Sequence, residues 1–288
     1  MKTVGFIGIG VMGKSMARNL RKHGFEVFIY SRTKAKAQEL IDEGFVWCDS
    51  VAQCAAGRDA VITIVGYPSD VEEVYFGEGG VIANARPGAY LIDMTTTSPK
   101  LSQRIWQEAH EKGLHALDAP VSGGDVGARN GTLAIMVGGD KEAFDACMPL
   151  FEAMGASIIH EGPAGSGQHV KMANQIAIAG AVSGVCEAVA YTRAMGVDPD
   201  VMIQTISGGA ASSWQLKNLG PKMARGDYAP GFFIKHFIKD MSIAYEEASA
   251  RGLELDILRT VREIYRQLEQ DGYGENGTQT VIRHYLDD

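Results

Sequence analysis

The stretch "VGFIGIGVMGKSMARNL", residues 4–20, constrains the fold more than any other part of the chain. Thr3 to Ile7 is rich in β-formers and bounded by glycine, which reads as a buried strand. Gly8, Gly10 and Gly13 then spell G-x-G-x-x-G, and Met12, Met16 and Leu20 recur at a helical period. In such a turn the first glycine permits the sharp bend and the second lets a pyrophosphate approach the backbone. The third lets helix pack against strand. The helix N-terminus turns free N–H groups and a positive dipole end toward that anion. After Gly24 a second strand, Glu26 to Tyr30, completes a βαβ unit. Gly8, Ile9, Gly10, Val11, Met12 and Gly13 are therefore expected to hold the phosphates of a dinucleotide.

A secretory leader is the competing reading of this apolar start. It would need a basic n-region, a Leu-rich or Ala-rich core and a small-residue cleavage site. Here four glycines interrupt the run, and Lys14 and Arg18 follow it. A cytoplasmic location is expected. The end of the second strand reports on the cofactor: an acidic residue about 20 positions past the glycines would bind the ribose hydroxyl of NAD. This chain has Ser31, Arg32 and Thr33 there. A hydroxyl and a guanidinium suit a 2′-phosphate, so NADP is the expected cofactor, with NAD as the alternative.

With 288 residues, 45% of them hydrophobic and 22% charged, the chain can build one large or two medium domains. The net charge of -8 and the lack of a Lys/Arg run argue against nucleic acid as a partner. No window supplies the roughly 18 uninterrupted apolar residues of a membrane span. Cys48, Cys54, Cys147 and Cys186 form no C-x-x-C pair and read as core thiols. The seven histidines show no ligand spacing, so no metal site is expected.

Strand signals recur at 60–65, 89–93, 115–117, 133–137 and 157–160, with helical stretches between most of them. That alternation predicts an α/β fold with a doubly wound, Rossmann-type sheet. After Gly162 the strand signals stop. Residues 168–195 form a long helical pattern, apolar on most sides, which predicts a buried rather than an amphipathic helix. At 1.5 Å per residue it spans about 40 Å, enough to join two domains. The expected organisation is a cofactor domain over 1–162 and an all-helical domain over 163–288.

Three further stretches carry candidate chemistry. "LDAPVSGGDVGARNGTL" (117–133) reads as a loop whose Ser122 hydroxyl and Gly123-Gly124 N–H groups can hold an oxyanion. "GPAGSGQHVKMANQ" (162–175) puts Lys171 and Asn174 on one helix face with Gln175 beside them. "HFIKDM" (236–241) sets Lys239 next to Asp240, which taken alone reads as a surface ion pair.

Together with the opening turn, these motifs resemble the β-hydroxyacid dehydrogenase family. That family includes 3-hydroxyisobutyrate dehydrogenase, tartronate semialdehyde reductase and the glyoxylate/succinic semialdehyde reductases. "GFIGIGVMGKSMARNL" is similar to its dinucleotide motif, "DAPVSGG" to its substrate motif, "GSGQHVKMANQ" to its catalytic motif and "KDM" to a downstream cofactor motif. The resemblance implies a Rossmann domain followed by an all-helical one. It implies Lys171 as general acid/base, Asn174 orienting the substrate, and Ser122, Gly123 and Gly124 on the substrate carboxylate. Thr96 in "DMTTTSP", Lys239 and the loop Val65-Gly66 would contact the cofactor. Gln175, Phe232, Phe233 and Trp214 are candidates for shaping the substrate site. Two departures stand out: many members read Met-Leu-Pro where this chain has Ile64-Val65-Gly66, and many NAD-using members have aspartate at the position of Ser31.

The implied activity is hydride transfer between NADP(H) and a small carboxylate-bearing aldehyde or 3-hydroxy acid. Hydride addition to a carbonyl leaves an alkoxide that needs a proton, and a lysine can supply it when burial and a nearby cation lower its pKa. An imine reductase is the alternative enzyme, but its lysine position usually carries another residue. A non-catalytic NADP-binding scaffold would leave Ser122, Lys171 and Asn174 unexplained. A homodimer or homotetramer is expected.

Overall fold

Strand β1 (Thr3–Ile7) buries Val4, Phe6 and Ile7 at 0–1% exposure, as a central parallel strand covered on both faces must. Around it, the computed structural model, which describes residues 1–286, builds one nine-stranded sheet. The further strands are β2 (Glu26–Tyr30), β3 (Val46–Trp47), β4 (Ala60–Thr63), β5 (Tyr90–Asp93) and β6 (His115–Asp118). They are followed by β7 (Val121–Ser122), β8 (Leu133–Gly139) and β9 (Gly155–Gly162). The order is β3-β2-β1-β4-β5-β6-β8-β7, with β9 on β8. The strands from β3 to β6 pair in parallel, whereas β8 runs antiparallel to β6 and β7. The chain winds outward from β1 in one direction and restarts at β4 in the other. The C-terminal ends of β1 and β4 therefore form the crevice where such sheets bind ligands.

Helices α1 (Val11–Lys22), α2 (Gln38–Asp42), α3 (Val51–Ala55), α4 (Pro68–Phe76) and α5 (Val81–Asn84) connect the first five strands. They are followed by α6 (Pro99–Glu111), α7 (Gly124–Asn130) and α8 (Lys141–Glu152). The core divides between the two sheet faces: Phe6, Met16, Leu20, Ile29 and Ile62 pack on one, and Ile7, Val61, Tyr75 and Leu91 on the other. Each such side chain contributes about 1.5–3 kcal/mol by burial. The stretch 117–133, expected as a loop, instead holds the end of β6, β7 and α7. Left-handed glycines, Gly123 (φ +128°), Gly124 (φ +63°) and Gly131 (φ +68°), bracket the short helix. The Gly pair read as loop is in fact a helix start.

Helix α9 (Ser166–Ala194) is continuous, and the described chain divides inside it into two compact units, Met1–Lys171 and Met172–Asp288. The second unit adds α10 (Pro199–Ile206), α11 (Trp214–Asn218), α12 (Gly220–Arg225), α13 (Ile234–Ser249) and α14 (Asp256–Leu268). Val182, Cys186 and Val189 of α9 pack there with Phe237, Met241, Leu258 and Tyr265. The expectation of a buried rather than amphipathic helix holds for only part of it within the chain: Ala173, Ala177, Gly184 and Tyr191 are exposed, and 39% of its most apolar stretch is buried. Alanine and glycine raise the apolar count on every side without demanding burial, so composition overstated the buried face.

Candidate active site

The glycine turn is closed on its inner side and open on its outer side. A Cβ on Gly8, which stands at φ +110°, would lie 2.0 Å from the Ile64 carbonyl oxygen. A Cβ on Gly13 would lie 1.9 Å from the Gly8 carbonyl oxygen, so α1 packs directly on the turn. On Gly10 it would meet nothing within 4 Å, and Gly10 and Val11 are exposed. No side chain caps the N-terminus of α1, which leaves a cradle of backbone N–H groups fit for a pyrophosphate. Ile9 is buried at 1%, so its contribution to a ligand is confined to its backbone, and Met12 is half-buried. Past β2, Ser31 is half-buried, and Thr33 opens a turn of 3-10 helix over Lys34–Ala37. The exposed Arg32 guanidinium lies 3.1 Å from Asp70 of α4.

The loops after β4 and β5 are joined to each other. Val65 N–H donates to Thr95 Oγ1 (2.9 Å), and Thr95 N–H and Thr63 Oγ1 donate to Asp93 Oδ1 (3.1 and 2.8 Å). Burial pushes the Asp93 carboxyl up to about 6. Gly66 and Thr96, the other expected cofactor contacts, sit half-buried on these same loops.

The substrate motif fixes the start of α9. Asp118, at the end of β6, accepts from Gly165 N–H (2.7 Å) and Gln168 N–H (2.9 Å). Desolvation raises its pKa, opposed by those two N–H groups. Gly138 and Gly167 close around the carboxylate, and a Cβ on either would come within 2.9 Å of it. Lys171, 6% exposed, stands one helical turn beyond Gln168. Ser122 is half-buried at the end of β7, and Gly123 and Gly124 are exposed at the start of α7.

In the second unit Asn174 Nδ2 donates to Gln175 Oε1 (2.6 Å), and Gln175 Nε2 donates to Asp240 Oδ2 (2.6 Å). Lys239 Nζ lies 3.1 Å from Asp240 Oδ1. The surface ion pair read from "KD" is corrected here: the two side chains are 11% and 2% exposed. The Gln175 amide, expected near substrate, is committed to Asn174 and Asp240 and holds the Asn174 side chain in place. Phe232 and Trp214 are exposed, and Phe233 is half-buried. Gln168 and Asp118 lie in the quoted motifs but are not among the site residues expected from sequence.

A dinucleotide cradle at the switch point of a doubly wound sheet, followed by a buried lysine on a long helix, defines a nicotinamide-dependent oxidoreductase. Comparison with known proteins specifies the family. Residues 3–162 match the NAD binding domain of 6-phosphogluconate dehydrogenase. Residues 165–285 match the family described as NAD-binding of NADP-dependent 3-hydroxyisobutyrate dehydrogenase. An oxidoreductase of Bacillus subtilis (strain 168), YkwC, is 55% identical over 285 residues, covering 99% of each chain. The 2-hydroxy-3-oxopropionate reductase of Escherichia coli (strain K12) is 38% identical over 93% of this chain and 92% of its own. A solved Mycobacterium tuberculosis 3-hydroxyisobutyrate dehydrogenase with L-serine superposes at a TM-score of 0.91, with 30% identity and full coverage of both chains. The chain belongs to the β-hydroxyacid dehydrogenase family of NAD(P)-dependent oxidoreductases.

Proposed function

We propose that the protein transfers hydride between NADP(H) and a small aldehyde, ketone or 3-hydroxy acid that carries a carboxylate. The observation that carries this reading is Lys171, an almost fully buried lysine on a helix whose start is held by Asp118 of the substrate motif. The bound cofactor supplies or accepts the hydride. The residues of the chain do the rest. Lys171 Nζ gives a proton to the carbonyl oxygen in reduction and takes one from the hydroxyl in oxidation. Asn174, steadied through Gln175 and Asp240, orients the substrate. Ser122 Oγ and the backbone N–H groups of Gly123 and Gly124 receive the carboxylate, so that it does not compete for Lys171.

NADP is preferred over NAD in this reading because no carboxylate stands at Ser31 and a guanidinium follows at Arg32. The Arg32 side chain is 79% exposed and its pair with the half-buried Asp70 is worth about 1 kcal/mol, so a dianionic phosphate competes well for the guanidinium. The name of the Escherichia coli relative supports a substrate with an aldehyde or hydroxyl beside a carboxylate. The protein acts in the cytoplasm as a homodimer or homotetramer, with Tyr191, Met195, Val197 and Val201 (52–67% exposed) supplying apolar contact area. A monomer mass by light scattering at micromolar concentration would contradict that assembly. The activity is tested with a panel of small acids followed by NADPH absorbance. Glyoxylate, succinic semialdehyde or tartronate semialdehyde should be reduced with far higher kcat/KM than propanal or butanal. Equal efficiency on neutral aldehydes would refute the carboxylate anchor.

A further inference from the structure

Gln168 is fully buried (0% exposed), and its side chain bonds to nothing on its own helix. Its Oε1 accepts from the N–H of Thr97 (3.0 Å) and its Nε2 donates to the carbonyl of Thr95 (2.8 Å). One amide thus satisfies the backbone on both sides of Thr96, as a neighbouring strand would. The same residue's own N–H is taken by Asp118, and Thr95 in turn holds Val65 through its hydroxyl. The loop after β4, the loop after β5 and the end of β6 therefore all converge on Gln168, one turn ahead of Lys171.

We propose that Gln168 is a positioning residue: it locks the cofactor loop 95–97 to the helix that carries Lys171, and so sets the distance between the hydride-transfer site and the proton donor. The inference rests on the functional reading above. Packing alone does not call for a glutamine here, since an apolar side chain of similar length fills the same space. The amide is needed because Thr97 N–H and Thr95 C=O are buried backbone groups without another strand to pair with.

The test uses Gln168→Met, which keeps length and removes both hydrogen bonds, and Gln168→Glu, which keeps an acceptor for Thr97 N–H and loses the donor to Thr95. Three quantities are read: thermal midpoint, NADPH Kd by fluorescence titration with its stoichiometry, and kcat per NADPH-binding site. Amide hydrogen exchange of the segment around Thr97 is followed in the ligand-free protein. Gln168→Met should raise Kd, cut kcat per site by about ten- to hundredfold and lose protection at Thr97, with Gln168→Glu between it and wild type. A purely structural residue would lower the midpoint and the stoichiometry but leave kcat per site and Kd unchanged. That result, or values within twofold of wild type for Gln168→Met, would overturn the proposal. Failure of both variants to fold would also overturn it. If the wild type binds NADPH but reduces none of the acids, the functional reading has failed instead, and the Kd and exchange arms still report on the lock.

Discussion

Replacing Gly10 by alanine separates what the glycine turn does for binding from what it does for folding. Gly10 sits at φ -90° and ψ -162°, a conformation other residues adopt, and an added Cβ meets no protein atom within 4 Å. Stability should rise by about 0.4–1 kcal/mol through the smaller entropy of the unfolded chain. In a chain of this size that lifts Tm by about 1–4 °C. The same methyl stands where the pyrophosphate must approach the backbone. Losing one hydrogen bond to a charged group costs about 1.5–3 kcal/mol, so the NADPH Kd should rise roughly ten- to hundredfold. Gly13→Ala is the contrast. Its Cβ would lie 1.9 Å from the Gly8 carbonyl oxygen, whereas an ordinary contact needs about 3.5 Å. Helix α1 must retreat, and overpacking of that kind costs about 1–3 kcal/mol. Scanning fluorimetry and NADPH titration on both variants decide the matter. A Gly10→Ala protein that binds NADPH as wild type does, or that melts several degrees lower, would refute the reasoning.

Two other expectations come from single side chains. Ser31→Asp puts a carboxylate where the 2′-phosphate is expected and should shift the ratio of kcat/KM for NADPH over NADH by about tenfold or more toward NADH, about 1.4 kcal/mol; a wild type equally efficient with NADH would contradict the cofactor reading. Asp93, buried and raised from 3.8 to about 6, binds its proton more tightly folded than unfolded, so its contribution is fully present below pH 3.8 and is lost as pH rises through 6. Urea unfolding should show wild type losing about 2 kcal/mol relative to Asp93→Asn between pH 4 and pH 7, and a flat difference over that range would count against the buried carboxyl.

The parts of the site legible in sequence are those built from local pattern. The bounds of β1 and β2 follow from short β-rich runs, the first ended by Gly8 and the second opening after Gly24, and the glycine turn between them from the spacing of Gly8, Gly10 and Gly13. The helix that carries Lys171 follows from the apolar run after Gly162. What escaped was every group whose partner is distant in sequence. Gln168 bonds to Thr95 and Thr97 more than 70 residues away, and nothing about a glutamine in a helical run announces that. Asp118 reads as one polar residue at a strand end, yet it holds the start of α9 across 47 and 50 residues. The Lys239–Asp240 pair looked like solvated charge because its burial depends on packing within the helical unit, which periodicity over six residues does not encode.

The proposed chemistry depends most on Lys171 as the proton-transfer group, and replacing it by alanine tests that directly. The proposed cofactor cradle is the glycine turn after β1, so the Lys171→Ala protein should bind NADPH with nearly the wild-type Kd. Its kcat should fall by about 10²–10⁴-fold, the usual contribution of a general acid/base. A variant that binds NADPH normally and turns over within about threefold of wild type would remove Lys171 from proton transfer, and the proposed chemistry with it.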